Sequence, residues 1–186
     1  HMISLISDHK TPNEPAHLPV FHPFGDSIIL ARMNMNHLEI RVATVADFNL
    51  IRSISERTWP STYGHIISQE QIDFMLDWMY SDSSLAEQFT KGHQFFIASL
   101  NGTDIGFCSV SEEEESATKQ NQQKAFKLNK LYVLPSAHGT GSGKALLIKA
   151  IEVAKAAGAS SIFLQVNKHN NAFTFYLKNG FIKEAE

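Results

Sequence analysis

The sequence predicts a single α/β domain built on a mixed sheet. Three observations carry this expectation. Stretches of period-two apolar alternation are interspersed with stretches of helical spacing, an Asn101-Gly102 pair joins two apolar runs, and a late strand enters a glycine-rich turn that opens a long helix. A chain of 186 residues has the length of one domain. Its 43% hydrophobic and 19% charged residues supply a core and exclude a disordered chain. A formal net charge of −3 argues against a general nucleic-acid binder. The single Cys108 excludes an internal disulfide and a multi-cysteine zinc site. No apolar run approaches the roughly 18 residues of a membrane helix. The start lacks the basic and long apolar regions of a signal peptide. The expectation is a cytoplasmic protein with no membrane, nucleic-acid or metal partner.

Residues 1–36 read as an N-terminal arm or leader outside the core, partly vector-derived at His1-Met2. Residues 1–26 hold four of the six prolines and show neither helical nor strand periodicity, and Ser27–Ala31 is a candidate short strand. The regular domain spans 37–186. Leu38 to Val42 alternates as a half-buried strand. Thr44-Val45-Ala46-Asp47 fits a capping box, and Phe48, Ile51 and Ile54 continue at helical spacing. Ser68 to Gln71 is a second box, followed by the stripe Ile72, Met75, Leu76, Met79. Ser84 with Glu87 opens a short third helix.

Phe95–Leu100 and Ile105–Val110 are strands joined by Asn101-Gly102, both of which tolerate positive φ. Glu112 through Lys124 is polar and without apolar period, an exposed loop. The Phe126–Leu134 strand changes parity, with Phe126 and Leu128 even but Leu131 and Val133 odd. Such a slip points to a β-bulge near Asn129-Lys130, or to a strand buried on both faces. Leu147, Ala150, Ile151 and Ala154 mark the next helix, ended by Gly158. Ser161–Val166 is a strand, Asn171–Asn179 a short aromatic helix, and Phe181-Ile182 begins a last strand.

The most informative stretch is His138-Gly139-Thr140-Gly141-Ser142-Gly143-Lys144, between a strand and a helix. Glycines let backbone N–H groups converge, and a helix N-terminus adds about half a positive charge. Together they make an anion site suited to a phosphate or diphosphate. A P-loop needs glycine where His138 stands and Ser or Thr where Ala145 stands, so it fails twice. A dinucleotide fingerprint starting at Gly139 needs glycine where Lys144 stands. The failed P-loop count disfavours a nucleotide-binding switch protein.

The glycines do match the Arg/Gln-x-x-Gly-x-Gly/Ala loop of the GCN5-related N-acetyltransferase (GNAT) superfamily, with His138 at the Arg or Gln position. Leu164-Gln165-Val166-Asn167 resembles the strand that follows in that family. Asn170 to Phe181 resembles its Asn…Ala-x-x-Phe-Tyr-x-Lys-x-Gly-Phe block, with Asn170 and Ala172 one residue closer than is commonest. Three blocks in order identify the chain as a GNAT-like domain, and the resemblance covers roughly Leu38 to Phe181.

The resemblance implies an N-acetyltransferase domain over 37–186, with acetyl-CoA as co-substrate and a small-molecule or peptide amine as acceptor. Attack is direct, in a ternary complex. Tyr176 stands at the position of the acid that protonates the departing thiolate. The loop His138, Gly139, Thr140, Gly141, Ser142, Gly143 and Lys144 is expected to hold the diphosphate. Backbone groups of Leu131, Tyr132 and Val133 would pair with the pantetheine arm, and Asn170, ahead of Asn167, would contact the cofactor unless both asparagines are helix caps. Trp59 and Tyr63 are candidates for the acceptor pocket. Many relatives place a Glu on the strand that here reads Lys127-Leu128-Asn129-Lys130, so a water relay is expected, with Glu112 or Glu56 as candidate bases. The Glu112–Glu115 run reads as a solvated loop ahead of a steering patch for cations.

Relatives continue past Gly-Phe with a last strand pair, so the chain reads as short at its C-terminus. Ser27–Met33 is the candidate replacement strand, donated within one chain or between two chains of a homodimer. The competing functional reading is a non-catalytic acyl-CoA-binding sensor.

Overall fold

The computed structural model describes residues 2–8, 37–113, 124–167 and 169–185. In chain order the elements are β1 (Met2–Asp8), β2 (Leu38–Val42), α1 (Phe48–Tyr63), α2 (Gln69–Tyr80), α3 (Asp82–Thr90), β3 (Gln94–Leu100), β4 (Thr103–Glu113), β5 (Ala125–Val133), α4 (Ser142–Ala156), β6 (Ser161–Asn167), α5 (Ala172–Lys178) and β7 (Ile182–Ala185). They form one mixed sheet in the order β2-β3-β4-β5-β6-β1-β7. Every pairing is antiparallel except β5 with β6.

Local chemistry sets most boundaries. Asn101 and Gly102 adopt φ of 52° and 78° and close the β3–β4 hairpin. Asp47 accepts the Thr44 N–H at 2.8 Å and opens a 3-10 turn that leads into α1. Ser68 and Gln71 form the reciprocal box that starts α2. The third helix starts earlier than expected, because Ser81 caps it by accepting the Ser84 N–H at 3.3 Å.

The strands sort their side chains onto two faces. Phe95, Ile97 and Phe107 pack with Ile51, Ile54 and Leu85 under α1–α3. Phe96, Ala98, Cys108 and Val110 pack with Leu146, Leu147 and Ala150 of α4. Each fully buried Phe or Ile contributes about 1.5–3 kcal/mol of apolar transfer. The parity slip in β5 is a bulge. Ser109 pairs with Lys130 and Val110 with Leu128, which leaves Asn129 as the extra residue. Its Nδ2 donates to Ser111 Oγ at 2.9 Å. Leu128, Leu131 and Val133 can therefore all join the α4 core, while Tyr132 joins the α1–α3 core.

The N-terminal segment differs from expectation. Met2–Asp8 is a strand inside the sheet, paired along its length with β6 and, over Ser4–Ile6, with β7. Ile3 and Leu5 are buried in the α4 core. The Ile3-Ser4-Leu5 alternation was too short to register beside the proline-rich run that follows. β1 thus fills, from within the same chain, the place between β6 and β7. The candidate strand Ser27–Met33 lies outside the described residues. Leu5→Ala is expected to cost about 2–5 kcal/mol in urea unfolding. An arm outside the core would give a change within about 0.5 kcal/mol.

Candidate active site

β5 and β6 run side by side only where Ala125–Lys127 face Ser161–Phe163. Beyond Lys127 the two strands part, and β5 keeps β4 as its partner on the other edge. The opening between them is a cleft of about 1250 Å³, walled by both strands, by α1, by α2 and by the start of α4. Trp59, Tyr63, Leu131, Tyr132, Val133, Asn170 and Tyr176 line it, as do His138, Gly139, Gly141, Ser142, Gly143 and Lys144. Thr140 is not on the wall. It braces the turn from behind, donating to the Ala137 carbonyl at 2.7 Å and sharing a 2.6 Å hydrogen bond with Ser142 Oγ.

The turn into α4 depends on two left-handed residues, Gly139 and Gly141, with φ of 79° and 88°. Ala145 is the first residue to bond back, to the Gly141 carbonyl at 2.9 Å. The N–H groups of Ser142, Gly143 and Lys144 therefore have no acceptor in a preceding helical turn. His138 folds back onto the strand, where its Nε2 donates to the Val133 carbonyl at 3.0 Å. The imidazole clamps the loop to the end of β5.

On the α1 side the cleft is aromatic and hydroxylated. Tyr63 and Tyr132 hydroxyls share a 3.1 Å hydrogen bond, and Trp59 packs on Tyr63 with ring centroids 4.7 Å apart. Trp59 Nε1 and the Tyr80 hydroxyl are buried without a hydrogen-bond partner. Burial raises the pKa of Tyr63, Tyr80 and Tyr132, so all three stay protonated at neutral pH. His65 reaches across to the His169 carbonyl at 3.1 Å and ties the end of α1 to the β6–α5 turn. Tyr176 is 7% exposed. It packs between Phe175 and Phe181, and burial first, then nearby Tyr63 and Cys108, pushes its pKa well up. Both asparagines organise turns: Asn170 Oδ1 accepts the Ala172 N–H at 2.8 Å and Asn167 Oδ1 the His169 N–H at 3.0 Å.

Neither candidate base reaches this space. Glu112 pairs with Lys124 at 2.8 Å, and Glu56 lines a separate hollow with Arg52, Gln69 and Asp73. Sequence reasoning missed Lys130, which the bulge turns inward. Its ammonium is buried, bonded to Gln88 Oε1 at 2.5 Å and set over the Tyr80 and Phe95 rings at 5.7 and 5.8 Å. Burial, then the charge of Lys127, lowers its pKa to about 8. The parity slip was the signal that could have found it. Met2 of β1 also lines the cleft and was missed.

The sequence profile described as an acetyltransferase (GNAT) domain matches residues 91–183, half of the chain. The chain belongs to the GNAT acetyltransferase family. This GNAT domain is 29% identical over 139 residues to an uncharacterized N-acetyltransferase of Mycobacterium tuberculosis, covering 74% of this chain and 84% of that one. It is 28% identical over 150 residues to a spermidine N(1)-acetyltransferase of Thermoplasma acidophilum, covering 77% and 88%. Among solved structures, the PaiA N-acetyltransferase of T. acidophilum in complex with coenzyme A superposes with a TM-score of 0.69 at 28% identity, over 80% of this chain and 91% of that one.

The buried lysine of the GNAT domain gives a stability test. Its folded pKa lies below the unfolded value of about 10.4. The unfolded state therefore holds the extra proton between about pH 8 and 10.4, and stability rises with pH across that window. Lys130→Met should remove this rise and stabilise the fold by on the order of 1–3 kcal/mol at pH 7. Chemical denaturation at pH 7 and pH 10 measures both.

Proposed function

We propose that the chain is an acetyl-CoA-dependent N-acetyltransferase that acetylates a primary amine by direct attack in a ternary complex. The observation that best supports this reading is the continuity of one cleft. It joins an unpartnered helix N-terminus, an open strand edge and a protonated phenol. The N–H groups of Ser142, Gly143 and Lys144 suit the cofactor diphosphate, and Lys144 adds charge. The edge of Leu131–Val133, which β6 leaves unpaired and of which His138 takes only the Val133 carbonyl, suits the amide groups of the pantetheine arm as an added strand. The bulge at Asn129 frees backbone donors for the thioester oxygen, where charge develops as the amine attacks.

In this reading the amine nitrogen bonds to the thioester carbonyl carbon and the carbon–sulfur bond breaks. The departing thiolate takes a proton from the Tyr176 hydroxyl, which burial holds in its protonated form. The amine gives up its proton to water, because no carboxylate lines the cleft among the described residues. Trp59 and Tyr63 form the acceptor wall. β1 and residues 37–185 together make up the domain, and dependence on acetyl-CoA supports a cytoplasmic setting.

That no carboxylate lines the cleft among the described residues also fits a second reading, a non-catalytic acyl-CoA-binding sensor. Amine-dependent thiol release separates the two. Tyr176→Phe is expected to lower kcat about 10²-fold while the acetyl-CoA dissociation constant, measured by calorimetry, stays within about twofold. Equal turnover of variant and parent would remove Tyr176 from the mechanism. Gly141→Val forces a branched side chain into a left-handed position and is expected to weaken acetyl-CoA binding at least about tenfold.

A further inference from the structure

The charged residues on the cleft wall are all of one sign. Among the described residues it carries Lys127, Lys130 and Lys144 and no Asp or Glu. Lys144 belongs to the anion loop at the start of α4. Lys127 and Lys130 lie on β5, on either side of the bulge. Arg41, Lys91, Lys124 and Lys149 each pair with a carboxylate, whereas Lys127 and Lys130 form no ion pair among the described residues. The acidic residues of α2, Glu70, Asp73 and Asp77, are exposed and do not line the cleft.

A buried ammonium is costly, and proteins normally pair it. Lys130 has only an amide oxygen and two aromatic faces. It acts as a fixed positive charge set into the wall. Lys127, half-buried on the same strand, lines the open space. A polyamine entering here meets two like charges and, among the described residues, no carboxylate to receive its distal ammonium groups. An acceptor with an anionic group supplies the missing partner.

We propose that the acceptor is an amine that also carries an anionic group, a carboxylate or a phosphate, read by Lys127 against the fixed charge of Lys130. This deepens the N-acetyltransferase reading above and rests on it. It also separates this chain from an enzyme that acetylates spermidine.

The experiment compares thiol release from acetyl-CoA by the full chain with four amines: 6-aminohexanoate, O-phosphoethanolamine, the uncharged 6-amino-1-hexanol and spermidine. At least one anionic amine is expected to exceed the uncharged amine at least about tenfold in kcat/KM, with spermidine last. Lys127→Glu is expected to reverse that order, and Lys130→Met to shrink the preference. Spermidine ahead of both anionic amines, or an order that neither substitution moves, overturns the proposal. A second readout does not need turnover. N-acetyl-6-aminohexanoate should bind the coenzyme A-loaded protein about tenfold more tightly than its uncharged alcohol analogue. Equal affinities would sink the anion site, whereas tight binding without thiol release from any amine would count against the transferase reading alone.

Discussion

The parting of β5 from β6 is the constraint on which the rest of the molecule depends. Parallel neighbours in a packed sheet ordinarily stay hydrogen-bonded, because an unpaired strand edge leaves polar groups to be satisfied elsewhere. Here the pairing lasts only from Ala125 to Lys127 on β5. The extra residue Asn129 bends the strand just past that point. The sheet stays intact because each half has its own anchor: β5 is held by a long antiparallel ladder to β4, and β6 by a full-length ladder to β1. A cleft through the middle of a sheet is stable only when both flanks are secured in this way.

The loop and helix that follow β5 use the same opening. Gly139 and Gly141 take left-handed conformations, and α4 then runs back across the sheet and buries Leu146, Leu147 and Ala150. That burial fixes the axis of α4, whose first residues Ser142, Gly143 and Lys144 line the cleft. His138 adds a second restraint through the Val133 carbonyl. His138 stands where the resemblance expects an Arg or Gln, and it lines the cleft while bonding to the end of β5.

The electrostatics of the cleft follow from the bulge as well. Without the extra residue, Lys130 would share a face with the apolar α4 core. With it, the ammonium lies among Gln88, Tyr80 and Phe95. The hydroxyl groups of Tyr63, Tyr80 and Tyr132 stay neutral, so they do not offset the lysines. Among the described residues, the charged side chains on the cleft wall are Lys127 and Lys130 of β5 and Lys144 at the start of α4, a set that favours negative charge.

Much of this was legible in the residues. Local rules are written in neighbouring positions, so Asn101-Gly102, the Ser68 box and the glycine turn each announced their element, and the parity slip narrowed β5 to two readings, of which the structure shows the bulge. The three motif blocks were enough to identify the family and its α/β fold. Partners far apart in sequence were not legible. Ile3-Ser4-Leu5 became an interior strand only because β6 and β7 leave a slot of matching register. Glu112 and Glu56 were plausible bases until packing turned them to Lys124 and to the outer hollow. The sequence placed a bulge near Lys130 but not the Gln88, Tyr80 and Phe95 that surround its ammonium. Apart from β1, the sequence by itself determined which of the described segments form strands, helices and turns, because those choices rest on periodicity and backbone sterics. Only the tertiary structure decided which charges share a space, because that depends on long-range packing, which no local pattern records.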